Sequence, residues 1–130
     1  MTRTSRRRAT RLPQLKPEDA AVRALRAADR SRAELDARLE RQGFGGEERQ
    51  RALDKLERLG YVDDGRTAAL RAERLAERGY GDAYIRADLE QRGLAADEAL
   101  AGIEAEAERV RRFADKGPAW LARRGFAPDG

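Results

Sequence analysis

The sequence has no cysteine and no histidine. Those two absences exclude disulfides, thiolate nucleophiles, Ser-His-Asp chemistry and the commonest zinc sites. Aromatic residues are only 5% of the chain and give little support for a base-stacking surface. No apolar run is long enough to cross a bilayer, and the arginine-rich N-terminus lacks the apolar segment of a secretory signal. β-Branched residues are scarce and no segment alternates apolar with polar side chains, which excludes strands. There is no phosphate-binding glycine loop, no metal-ligand cluster and no nucleophile–base pair at a recognisable spacing. The expectation is a non-enzymatic, cofactor-free, cytoplasmic protein that acts as a monomer.

What is present is charge. Charged residues make up 40% of the chain, yet the net charge is only +4. Residues 1–17 hold Arg3, Arg6, Arg7, Arg8, Arg11 and Lys16 with no acid, a local +6, which leaves −2 for the other 113 residues. The basic excess therefore sits in a tail, expected to be a disordered arm ending at Pro13 and Pro17. Leu, Ile, Val and Phe number only 22 of 130, so alanine-rich helices with a modest core are expected, with stability that rises on binding a partner.

A glycine followed at once by a large apolar residue recurs at Gly43-Phe44, Gly60-Tyr61, Gly79-Tyr80, Gly93-Leu94 and Gly125-Phe126. Each follows a stretch of helix formers. Glycine just past a helix can adopt the left-handed conformation that caps the last carbonyls, and the next residue can fold back onto the core. The spacing predicts helix one over 18–29, started by Pro17, then a second helix with Ser31 and Glu34 as a capping box. Gly45-Gly46 reads as a loop before helix three. Asp82 is expected to cap helix five, and Asp97 to open helix six, which carries Leu100 and Ile103. Asp63-Asp64, the one adjacent acid pair in a connector, reads as N-caps of helix four (about 66–78) more readily than as a metal or acid/base site.

At an offset of 50, Leu35 falls on Ile85, Leu39 on Leu89, Gly43 on Gly93, Phe44 on Leu94 and Leu53 on Ile103. The fold expected is all-α, with tandem three-helix, helix-turn-helix-like repeats over 18–62 and 63–106 and a shortened, incomplete third over 107–130. Gly125 follows Gly93 by only 32 residues, which marks the compression.

Six acid-then-base pairs stand four residues apart: Glu34–Arg38, Glu47–Arg51, Asp54–Arg58, Asp82–Arg86, Asp88–Arg92 and Glu108–Arg112. This order favours a solvated helix face. Clusters with little local acid are better placed to meet phosphate or an acidic protein surface. The candidate contact residues are Arg6, Arg7 and Arg8 in the arm, Arg71, Arg74, Arg78 and Arg86 in the second repeat, and Arg109, Arg112, Arg123 and Arg124 beyond it. Among the aromatics, Phe44, Tyr61, Tyr80 and Phe126 are expected to be core. Trp120 is assigned to the core only through its neighbour Leu121, and Tyr84 is expected to be exposed.

Two strings stand out: Gly60-Tyr61-Val62-Asp63-Asp64-x-Arg66 and Arg78-Gly79-Tyr80-Gly81. Together with Ser31-Arg-Ala-Glu-Leu35-x3-Leu39-x3-Gly43-Phe44 and Ile85-x3-Leu89-x3-Gly93, they resemble the RecX regulatory proteins, well over 20–103 and loosely over 104–126. The resemblance implies a curved, elongated molecule of three-helix repeats. It implies binding in the groove of the RecA recombinase filament on single-stranded DNA, with suppression of ATP hydrolysis, strand exchange and filament growth. Thr67 departs from the pattern where an aromatic is usual, and Tyr84 where a basic residue is common. Two other classes compete on the residues alone: a direct DNA binder acting as a transcriptional regulator through the arm and the arginine clusters, and a helical adaptor.

Overall fold

Every element in the computed structural model, which describes residues 15–128, is helical. In chain order these are α1 (Pro17–Ala27), α2 (Arg32–Arg41), α3 (Gly46–Arg58), α4 (Asp64–Glu77), α5 (Asp82–Gln91), α6 (Asp97–Ala101), α7 (Glu106–Arg109), a 3-10 helix (Val110–Lys116) and α8 (Pro118–Arg123). No strand occurs among the described residues, so the fold is all-α. None of these helices is long and apolar enough to cross a membrane. The expected arm over 1–17, with Arg6, Arg7 and Arg8, lies outside the described residues up to position 14.

One local device ends five of the helices. Gly43, Gly60, Gly79, Gly93 and Gly125 all have φ between +80° and +98°. In each case the next N–H donates back to the carbonyl of a leucine five residues earlier. The five bonds are Phe44 to Leu39 (3.2 Å), Tyr61 to Leu56 (2.9 Å), Tyr80 to Leu75 (3.1 Å), Leu94 to Leu89 (2.9 Å) and Phe126 to Leu121 (3.1 Å). This is the six-to-one bond of a Schellman cap, and four of the accepting leucines, Leu39, Leu56, Leu75 and Leu89, are buried in the core, while Leu121 is half-buried. Phe44, Leu94 and Phe126 fold inward as expected. Tyr61 does not: it is 55% exposed, and Val62 is buried in its place. Val62 also donates to Leu56 O (3.2 Å), so the turn runs one residue further before the chain reaches the core.

The chain divides into two compact units at the junction of Asp63 and Asp64. In the first, α1 and α2 both pack on α3. Pro17 occupies the first turn of α1 and Glu18 and Asp19 lie at its positive end. Ser31 and Glu34 form the capping box, with Ser31 Oγ accepting from Glu34 N (3.0 Å) and the Glu34 carboxylate accepting from Ser31 N (2.9 Å). Gly45-Gly46 is not a free loop. Gly45 is the N-cap of α3, its N–H donating to the Glu48 carboxylate at 3.0 Å, and Gly46 is already helical. The core is Ala20, Ala21 and Ala24 of α1 against Leu35, Leu39, Phe44, Leu53, Leu56 and Val62. The alanines let α1 approach closely, while each buried leucine contributes about 1.5–3 kcal/mol of transfer free energy.

In the second unit α4, α5 and α6 surround Ala68, Ala72, Leu75, Ala76, Ile85, Leu89, Leu94, Ala96 and Ala99. The bounds of α2 and α5 differ by 50 at both ends, and Leu35 and Ile85 are both fully buried. The third helices differ sharply: α3 has 13 residues and α6 only five. Helix α6 ends before Ile103, because Gly102 stops it and the chain turns so that α7 can send Arg109 inward. The segment expected as a separate shortened repeat belongs to this second compact unit. Thr67 is half-buried beside the Ala68–Ala72–Leu75–Ala76 stripe, so the packing of α4 does not depend on an aromatic at that position.

Candidate partner-binding surface

The Arg78-Gly79-Tyr80-Gly81 string is the hub of the second unit. Gly79 supplies the left-handed cap of α4 at φ +90°. Gly81 has ordinary extended geometry (φ −86°) and is needed for another reason. A Cβ at Gly81 would lie 2.4 Å from the carbonyl carbon and oxygen of Gly125. The two backbones meet here, with Gly81 N–H donating to Arg124 O (2.7 Å) and Ala83 N–H to Gly125 O (3.3 Å).

The first turn of α5 is consequently capped from outside. Gly81 is its N-cap, and Asp82 makes no cap through its side chain. Glu106 does that work, one carboxylate oxygen accepting from Asp82 N (2.6 Å) and the other from Ala127 N (3.0 Å). The Asp82 carboxylate accepts instead from Arg109 at 2.9 Å. Capping by Asp82 is the local solution; a buried arginine 27 residues away outcompetes it.

That interaction corrects the expectation for Arg109. It is 1% exposed, over the Phe126 ring, and also donates to the carbonyls of Glu104 (3.0 Å) and Tyr80 (2.9 Å). It joins α7 to the hub and offers no surface to a partner. Arg124 is likewise engaged. Its guanidinium lies 3.8 Å from the Tyr80 ring centroid and 4.8 Å from that of Trp120, and it donates to the carbonyls of Gly79 (3.3 Å) and Arg78.

The other candidates divide into paired and exposed. Arg71 grips Asp88 through two hydrogen bonds (2.8 and 2.9 Å). The Arg71 hydrogen bond and charge, with that of Arg92, hold the Asp88 carboxyl below its ordinary value. Arg86 pairs with Asp97 at 2.8 Å, an interaction that raises its own pKa, and reaches Glu90 at 3.8 Å. Arg112 pairs with Glu104 at 2.7 Å and Arg111 with Glu108 at 2.8 Å. Of the expected i, i+4 pairs, Glu47–Arg51 (3.7 Å) and Asp88–Arg92 (3.2 Å) form. Asp54 does not join Arg58 but bonds Arg32 of α2 at 2.8 Å, because a contact between packed helices is better fixed than one along a solvated face. Arg74, Arg78 and Arg123 are exposed, and Arg78 and Arg123 have no acidic partner among the described residues.

The first unit holds a feature that sequence reasoning missed. A cleft of about 580 Å³ between α1 and α3 is lined by Lys16, Arg51, Lys55 and Arg58, with Glu18, Glu48 and Asp54 on the same walls. Arg51, Lys55 and Arg58 share one helix face, a periodicity present in the sequence but hidden when each cation is paired with its nearest acid along the chain.

No family model matches the chain. Among curated proteins it is 34% identical to regulatory protein RecX of Xanthomonas oryzae pv. oryzae, over 92% of this chain and 87% of that protein. It is 34% identical to regulatory protein RecX of Xanthomonas campestris pv. campestris, over 95% of this chain and 82% of that protein. The chain belongs to the RecX family. A third relative, regulatory protein RecX of Mycolicibacterium vanbaalenii, is 40% identical over 69% of this chain and 51% of its own length. In this RecX chain both diagnostic strings mark structure: Gly60 and Gly79 as caps, Val62 as core, Gly81 as the close approach.

Proposed function

We propose that this chain is a non-enzymatic regulator that binds the RecA filament on single-stranded DNA and restrains its ATP hydrolysis, strand exchange and growth. The observation that carries this reading is RecX family membership along nearly the whole chain, with relatives named as regulatory proteins. It acts in the cytoplasm as a monomer and without a cofactor. The residues that meet the partner are Arg6, Arg7 and Arg8 of the arm and, in the second unit, the surface of Arg74, Arg78 and Arg123, while Arg71, Arg86 and Arg112 contribute only if they exchange an internal acid for an external one. Arg109 and Arg124 support that surface from within. Contact through more than one three-helix repeat would bridge protomers, and such multivalent contact favours filament over free subunit. The test is ATP hydrolysis by RecA on single-stranded DNA: added protein at stoichiometric excess should depress it.

A second reading, direct binding of DNA, has one specific observation in its favour. Arg78 and Arg123 are exposed without acidic partners among the described residues, in the unit that also carries an exposed tyrosine. Binding of duplex DNA with sequence preference and without RecA would favour a transcriptional role; a steep salt dependence that disappears with residues 1–17 would mark it as electrostatic only.

A further inference from the structure

The second unit contains a stack of flat groups with one open end. The Tyr84 and Tyr80 rings are near-parallel, 17° apart, with centroids 4.0 Å from each other. The Arg124 guanidinium is 3.8 Å from the Tyr80 centroid. Two groups cannot occupy one face of a ring at such distances, so the order is Tyr84, Tyr80, Arg124. Behind Arg124 come Trp120 at 4.8 Å and then Phe113, whose ring is 5.8 Å from that of Trp120. The stack is held rigidly, since Arg124 also donates to the carbonyls of Arg78 and Gly79.

Tyr84 closes the outer end and is 39% exposed. Its inner ring face is covered by Tyr80, and its backbone is covered by Gly125, where a Cβ would come within 2.6 Å of Tyr84 N and 2.7 Å of its Cβ. The exposed area is therefore the outer face and rim of the ring. The acids nearest in sequence are occupied: Asp82 by Arg109, Asp88 by Arg71 and Arg92. Glu106 accepts two backbone N–H groups. Two exposed cations adjoin the stack along the chain, Arg78 through the carbonyl that holds Arg124, and Arg123 as the neighbour of Arg124.

We propose that Tyr84 is a stacking platform for one unpaired base of a single-stranded nucleic acid, with Arg78 and Arg123 meeting the adjoining phosphates. A flat open π face accepts any base, whereas bases inside a duplex have no free face to offer. Exposed cations without acidic partners in the same unit, at the segments that hold the stack, favour a phosphodiester chain over an aromatic peptide side chain. This deepens the reading above by naming a contact to the strand within the filament, and it rests on that reading only for the strand's identity.

The contact is testable without recombinase. Binding of a fluorescein-labelled oligo-dT and of an abasic oligomer of equal length is followed by anisotropy for the full chain, Tyr84→Leu, Tyr84→Phe and the Arg78→Gln/Arg123→Gln pair. Tyr84→Leu should weaken oligo-dT binding roughly 5- to 150-fold, the range for loss of one base–aromatic stack. It should leave abasic binding unchanged, and Tyr84→Phe should bind oligo-dT as the unaltered chain does. The arginine pair should weaken both oligomers and lower the salt slope by about 1.4, at about 0.7 per phosphate. Quenching of a single 2-aminopurine in the strand by the unaltered protein gives a readout independent of any variant's folding. Equal affinity of Tyr84→Leu and the unaltered chain for oligo-dT, equal losses on both oligomers, or absence of quenching would each overturn the proposal. RecA hydrolysis measured in parallel separates the two readings: restraint that persists without a Tyr84-dependent contact leaves the regulator and removes the platform.

Discussion

Three glycines separate two physical costs that are usually confounded. Gly60 has φ +85° and open space for 4 Å around the place a Cβ would take, so Gly60→Ala adds strain and no clash. Gly81 has φ −86° and so carries no strain, but its Cβ would meet the Gly125 backbone at 2.4 Å. Gly125 has both, at φ +89° and 2.6 Å from Tyr84 N. Holding an alanine in the left-handed region costs about 1–2 kcal/mol. Gly60→Ala should therefore lower the melting temperature of the first unit by roughly 4–16 °C, at 4–8 °C per kcal/mol for a unit of this size. Gly81→Ala must push two backbones apart and would break the bonds from Gly81 N to Arg124 O, Ala83 N to Gly125 O and Asp82 N to Glu106. At about 1 kcal/mol each, the loss is about 3 kcal/mol, concentrated where α8 docks. Gly125→Ala should cost about 4–5 kcal/mol, the sum of the two kinds. Trp120 is the one tryptophan and lies in that docked segment, so its emission reports undocking while far-ultraviolet circular dichroism reports helix content. The expected order of destabilisation is Gly60→Ala, Gly81→Ala, Gly125→Ala, with Trp120 emission changed only by the last two. A Gly81→Ala protein with unaltered emission and melting would refute the close approach.

Arg109→Ala should destabilise the second unit by about 3 kcal/mol in denaturant unfolding, the low end for breaking a buried pair because Asp82 is 44% exposed. Arg74→Glu with Arg78→Glu should weaken restraint of RecA hydrolysis without loss of helical circular dichroism; a collapse of helicity would make those residues structural. The Asp88 carboxyl is held below its ordinary value by Arg71, so its stabilising contribution is full above about pH 4 and is lost as pH falls through the depressed value. Asp88→Asn should remove that part of the acid sensitivity, and an unchanged acid-unfolding profile would show that the pairing adds nothing.

The helix stops are legible in the sequence because each is settled within six residues: a leucine, three helix formers, a glycine and the residue after it. The Ser31–Glu34 box is legible for the same reason. Tyr61 is not, since whether the first or second residue past the glycine turns inward depends on the packing of Val62. Asp54 and Asp82 each have a plausible partner one turn away and take a distant arginine instead. Arginine clusters in sequence carry no information on enclosure, so Arg109 cannot be told from Arg123 by composition. One signal is available. Gly81 sits two residues after a glycine that already ends the helix, and a second glycine that this helix stop does not require marks a close approach of backbone.

The most direct test of the regulatory role is the rate of ATP hydrolysis by RecA on single-stranded DNA, titrated with the full chain and with a chain lacking residues 1–17. The expected result is a dose-dependent fall with the full chain and a weaker fall without the arm. Hydrolysis unchanged at stoichiometric excess of the full chain would contradict the proposed function.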